Sequence, residues 1–244
     1  MLEWENFEPR FGTWANKIKP FFDKGGFEPV YKRLKEDSMR GKKICPDNLD
    51  TFRALIETPY SEIKQVIVGL SPYHTLYDNK IIADGLLMST RTNHIPPSLE
   101  QFYKALEVEF YSGLCLPCEK RPDLTYLAKQ GILLWNIGLT CELNKAGSHT
   151  QLWKEFQKFF FSEIISITGV PVISLGAEAK VVKNWLGPMQ WYFPLSHPAA
   201  ASRKQETWNS LGTFSKVNRI LKESIGEDIN YFPTYEQWKI LTSL

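Results

Sequence analysis

A chain of 244 residues, 43 % hydrophobic and 14 % aromatic, is long and apolar enough to bury a sizeable core, so a single α/β domain over residues 1–244 is expected. Its 29 basic and 27 acidic residues leave a net charge of +2, which excludes a polybasic coat and makes any nucleic-acid contact a local one. No apolar run approaches the roughly 20 residues of a membrane span, MLEWENFEPRFGTW lacks a basic-then-apolar leader, and four scattered cysteines do not form a disulfide framework; a reduced, cytoplasmic, monomeric protein with no membrane partner is expected.

In chain order, the first sixty residues carry aromatic side chains at helical spacing (Trp4, Phe7, Phe11, Trp14, then Phe21, Phe22, Phe27, Tyr31), broken by Pro20 and Gly25-Gly26. This predicts a helical N-terminal layer. Four short apolar runs follow at Gln65–Leu70, Ile132–Trp135, Val170–Leu175 and Gln190–Leu195, and all four read as buried strands. Between the second and third, Leu152, Trp153, Phe156, Phe159, Phe160 and Ile164 recur at steps of three and four, predicting a helix over 151–167 with Ser148 and Gln151 as its capping box. Strands alternating with helices imply a three-layer α/β fold, with a central four-stranded, mostly parallel sheet flanked by helices.

Ligands of such sheets bind beyond the carboxyl ends of the strands. The residues following the four runs are Ser71-Pro72-Tyr73-His74, Asn136, Gly176-Ala177 and Ser196-His197-Pro198, so a tyrosine, two histidines and an asparagine converge on one edge. Singly each reads as a capping or loop residue, but together they mark a site.

Gly69-Leu70-Ser71-Pro72-Tyr73-His74 resembles the GQDPYH signature of the uracil-DNA glycosylases. Residues 83–89 (ADGLLMS) resemble that family's AHGLCFS, and 127–136 (LAKQGILLWN) its WAKQGVLLLN. Pro96-Pro97-Ser98-Leu99 is similar to the end of its proline-rich loop, Leu175-Gly176-Ala177 to its WGS loop, 197–202 (HPAAAS) to HPSPLS and 214–218 (FSKVN) to FSKTN. The resemblance implies an enzyme without cofactor or metal that flips a nucleotide of single- or double-stranded DNA into a pocket and cuts its glycosidic bond. It implies that Asn136 reads the base edge, that Tyr73 walls off the pyrimidine 5-position, and that His197 donates to O2 of the departing base. Ser98, Gly176, Ser202 and Ser215, with Lys216 and Arg203, become candidates for gripping the DNA backbone. His74 and His149 match positions that are more often structural, and His94 reads as loop surface.

Departures fall at the chemistry. Leu70 and Ser71 replace the Gln-Asp pair, Met88 replaces a base-stacking phenylalanine, and Ala201 replaces the leucine that wedges into the vacated stack, with Arg203 a substitute wedge. Serine only hydrogen-bonds a water where the aspartate orients it with a charge. Asp84 is the candidate replacement carboxylate, while Asp78 reads as a solvated turn residue. Methionine offers a flexible, polarizable wall that admits irregular shapes. The expected function is therefore a DNA glycosylase of altered specificity acting on uracil or a modified pyrimidine. The alternative is an inactive scaffold, for which His197-Pro198-Ala199-Ala200 resembles the HPAA motif of poxvirus processivity subunits. Cys115 and Cys118 form a lone CxxC that reads as loop thiols rather than a metal site.

Overall fold

The computed structural model describes residues 2–112 and 120–232. Cys115 and Cys118 lie outside them. The central sheet has the order β5-β2-β7-β8, with β2 Gln65–Gly69, β5 Ile132–Asn136, β7 Val172–Leu175 and β8 Tyr192–Leu195. All three pairings are parallel, with Gly69 opposite Asn136 and Leu175 opposite Leu195 in register. Every residue of β2 and β5 is buried, as expected of a sheet covered on both faces. The β7 and β8 strands start two residues later than the apolar runs, because Val170-Pro171 and Gln190-Trp191 lead into the sheet rather than pair along it.

Short helices α1 (Glu8–Phe11), α2 (Ala15–Asp23), α3 (Glu28–Met39) and α4 (Arg53–Glu57) precede β2. Their aromatic residues form the expected layer. Phe11 meets Phe52 edge-on with centroids 4.8 Å apart, and Phe27 reaches Phe156 at 4.9 Å, so ring quadrupoles add to plain burial. The predicted break at Pro20 is not seen: Pro20 sits inside α2 on its exposed side, so water can serve the carbonyl that loses its partner. Gly25, with φ of 71°, does end the element.

After β2, a hairpin of β3 (Leu76–Tyr77) and β4 (Lys80–Ile81) leads to α5 (Pro97–Tyr111) and the short α6 (Thr125–Ala128). A separate two-stranded ladder pairs β1 (Ile44–Cys45) with β6 (Cys141–Glu142). The helix predicted over 151–167 is α7, Thr150–Phe159, continued by a wider π turn over Phe160–Ile165 that buries both Phe160 and Phe161. The predicted capping box does not form. Ser148 Oγ instead accepts from the Glu142 amide at 2.8 Å, tying down the loop that precedes the helix. A 3-10 stretch at Glu178–Trp185 follows β7, and α8 (Pro198–Lys204) and α9 (Thr213–Ile225) complete the described fold.

Candidate active site

The loop after β2 is held from both sides. Gly69 packs so closely that a Cβ there would lie 2.4 Å from Leu87 Cδ1. Beyond it, the Gly69, Leu70 and His74 carbonyls accept from the amides of Ile137 (2.9 Å), Gly138 (2.9 Å) and Asn144 (2.7 Å). Ser71 Oγ accepts from the Gly147 amide at 3.0 Å, so the hydroxyl is anchored to the loop before α7.

This loop forms one wall of a cavity of about 310 Å3 at the carboxyl ends of the strands. Leu70, Ser71, Tyr73 and His74 line it from the loop after β2, Met88 from the segment leading to α5, Ser98 from the first turn of α5, and Gly176, His197 and Arg203 from the far side. A larger depression of about 620 Å3 lies under the β3–β4 hairpin, lined by charged residues such as Asp47, Asp50 and Arg91. It holds none of the strand-end histidine or tyrosine side chains, so the smaller cavity is the candidate site.

His197 is the N-cap of α8, and its Nδ1 accepts from the Ala199 amide at 3.1 Å. In the neutral ring the proton therefore sits on Nε2. Burial lowers the His197 pKa, and the Arg203 guanidinium lowers it further, so the uncharged form with a free Nε2–H donor is favoured. Gly176, with φ of 93°, lets the loop after β7 press against this ring: a Cβ there would be 3.2 Å from His197 Cβ.

Tyr73 is fixed through its hydroxyl, 2.8 Å from Ser98 Oγ and donating to the Met88 carbonyl at 3.3 Å. Burial raises its pKa above the usual phenol range, keeping it a neutral donor. Met88 adopts φ of 59°, an uncommon conformation for a side chain of this size. Asn136 is buried at the end of β5, and its Oδ1 has no hydrogen-bond partner, nor has His74 Nδ1. Asn136 does not itself line the cavity; its Oδ1 lies 3.5 Å from the point a Cβ would occupy at Gly69, the residue before the lining Leu70.

Several expected site residues are placed elsewhere. Asp84 does not line this cavity. Its carboxylate receives Arg53 at 2.7 Å, the Ser89 hydroxyl at 2.7 Å and the Leu86 amide at 3.1 Å in a buried structural cluster, and it borders the larger depression under the hairpin instead. Ala201 is buried against the core rather than presented to a DNA stack. The Ser98 hydroxyl is engaged by Tyr73. The Ser215 amide, at the start of α9, donates to Glu109 of α5, which also accepts from the Ser210 hydroxyl, so a protein carboxylate already sits there. Ser202 is half-buried in α8, and Lys216 is exposed with its Nζ on the Leu211 carbonyl. His149 is structural: its Nδ1 is 2.9 Å from Thr140 Oγ1. Sequence reasoning missed Glu178, the one acidic side chain lining the cavity among the described residues, although its place two residues after Gly176 in a strand-end loop was a usable signal.

Residues 57–222 match the model of the Uracil DNA glycosylase superfamily. The chain belongs to this superfamily. Relatives bearing the name uracil-DNA glycosylase include one from Mesomycoplasma hyopneumoniae (strain 7448), 32 % identical over 211 residues, covering 85 % of this chain and 92 % of the relative. Another, from Bacillus cytotoxicus, is 35 % identical over 223 residues, covering 88 % and 92 %. Among solved structures, mimivirus uracil-DNA glycosylase superposes with a TM-score of 0.78 at 23 % identity, covering 93 % of this chain and 88 % of that one. For a superfamily member, the position of the cavity at the carboxyl ends of the parallel strands is where a reacting nucleotide has room to enter.

Proposed function

We propose that this chain is a DNA glycosylase that hydrolyses the N-glycosidic bond of a flipped uracil or modified pyrimidine in DNA, leaving an abasic site, with a base pocket altered around Ser71 and Met88. The observation that carries the reading is His197. A neutral imidazole with Nδ1 committed to the α8 backbone leaves only its Nε2–H edge to serve the cavity it lines. When a pyrimidine departs from C1′ of the deoxyribose with the bonding electron pair, negative charge develops on O2, and a preset donor stabilises it without reorganising. Asn136 supports the same reading. A buried amide oxygen left without a partner costs ~1–3 kcal/mol, and the imide N3–H of uracil is a donor that would satisfy it while the amide NH2 donates to O4.

The hydrolytic water must add to C1′ and lose a proton. Ser71 is neutral and already accepts from Gly147, so it orients a water without supplying charge, and turnover slower than that of an aspartate-bearing enzyme follows. Incubation with oligodeoxynucleotides carrying uracil or a panel of modified pyrimidines, followed by alkali, tests the proposal. Strand breaks on at least one substrate, lost in His197→Ala and increased on uracil in Ser71→Asp, are expected. DNA binding without breaks on any substrate would replace this reading by that of an inactive DNA-binding scaffold.

A further inference from the structure

The β3–β4 hairpin is the part of the strand-end surface that the cavity does not use. It begins two residues after His74, which lines the cavity, and its Tyr77 ring lies flat on His94, with centroids 4.7 Å apart and planes 7° from parallel. His94 in turn precedes the cavity residue Ser98 by four positions. Three extended residues span at most about 11 Å, so Tyr77 lies within that reach of His74, and the stacked pair ties together the two loops that carry the cavity residues His74 and Ser98.

Three features make the pair more than a loop contact. Tyr77 remains 41 % exposed although one face of its ring is covered by His94. The connecting turn is tight and preset, with Asp78 and Asn79 both left-handed at φ of 48° and 58°, the geometry of a two-residue hairpin that holds its flanking side chains in register. Directly opposite Tyr77 in the ladder is Lys80, exposed and without an ion-pair partner among the described residues, although it borders the same depression as Asp47 and Asp50. An aromatic face with a neighbouring cation is the chemistry that holds an unpaired nucleobase and its phosphate without reading sequence.

We infer that Tyr77, backed by His94 and flanked by Lys80, is a stacking site for an unpaired nucleobase next to the nucleotide that enters the cavity. The site rests on the DNA-acting reading above and deepens it: Ala201 is buried in α8 and does not fill a broken base stack, whereas the hairpin holds out an exposed aromatic ring that could. It also favours substrates whose neighbouring base is free to leave the duplex, that is, single strands and poorly paired sites.

The test uses a short oligodeoxynucleotide with 2-aminopurine on either side of a single uracil, because stacking on an aromatic ring quenches that fluorophore. Full-length protein and Tyr77→Phe are expected to quench it on one side. Tyr77→Ala, with an unchanged circular dichroism melt, should lose most of the quenching and bind roughly tenfold more weakly. Quenching and Kd unchanged in Tyr77→Ala, or no binding by the wild-type chain, overturn the site. Excision that proceeds with quenching independent of Tyr77 overturns the site and leaves the glycosylase reading standing. Tyr77-dependent quenching without excision of any base does the reverse.

Discussion

At the scale of single residues, the chemistry turns on where one proton sits. His197 gains an acceptor role at Nδ1 from the α8 backbone and is kept uncharged by burial and by Arg203. Because its pKa is lowered below 6.5 in the folded chain, the neutral donor persists as pH falls through 6.5 and is lost only below that. A pH profile of kcat/KM should therefore lack an acid limb near 6.5, and His197→Ala should reduce kcat roughly a hundred- to a thousand-fold, the usual effect of removing one preset donor. Activity that instead falls as pH rises through 6.5, with that limb vanishing in His197→Gln, would mean that a protonated ring does the work. The same scale explains why Asp84 looked catalytic in the sequence. Nothing in the order of residues shows that Arg53, thirty-one positions earlier, folds onto it at 2.7 Å.

At the scale of elements, glycines decide how near the loops approach. Gly176 has φ of 93° and lies against His197, so Gly176→Ala imposes both backbone strain and a 3.2 Å contact on the Cβ that carries the imidazole. It should cost about 1 kcal/mol of stability in urea unfolding and lower activity by more than the loss of folded protein accounts for; unchanged kcat would show that this loop does not position the ring. Most of the fold was legible at this scale. Four apolar runs gave four parallel strands because a sheet covered on both faces needs continuous hydrophobic stretches. The motif residues Ser71, Tyr73, Met88 and His197 came to one cavity because each ends or follows a strand or its loop. Hydrogen-bond competition was not legible. Ser148 was drawn from its helix to the Glu142 amide, and the Ser98 hydroxyl pairs with Tyr73, each through a partner distant in sequence or fixed only by folding. Pro20 was survivable within a helix because it faces water, and burial is not a local property.

At the scale of the whole molecule, charge placement governs both stability and binding. Burial pushes the Asp37 carboxyl up, but hydrogen bonds from Lys42 (2.8 Å) and Arg33 (2.9 Å) outweigh it and hold the pKa at about 2. A carboxyl more acidic folded than unfolded stabilises above pH ~4, and that contribution, on the order of 2 kcal/mol, drains as pH falls from about 4 through about 2. His149, whose pKa burial lowers, acts in the same sense from 6.5 downward, since the unfolded chain takes up its proton first. Urea unfolding between pH 7 and 2 should show a shallower acid loss for Asp37→Asn than for wild type; parallel curves would remove this cluster from the account. Glu109, seated at the start of α9, has a consequence for how DNA is held. A phosphate docking there would have to displace a carboxylate of the same sign, so the protein neutralises fewer phosphates and releases fewer condensed counterions on binding. Each neutralised phosphate contributes about −0.9 to the slope of log K against log salt. The wild-type slope should accordingly be shallow, and Glu109→Ala should steepen it by about one while tightening binding at low salt. With a net charge of only +2, such a protein would keep its hold on DNA over a wider range of ionic strength than one that depends on a basic coat.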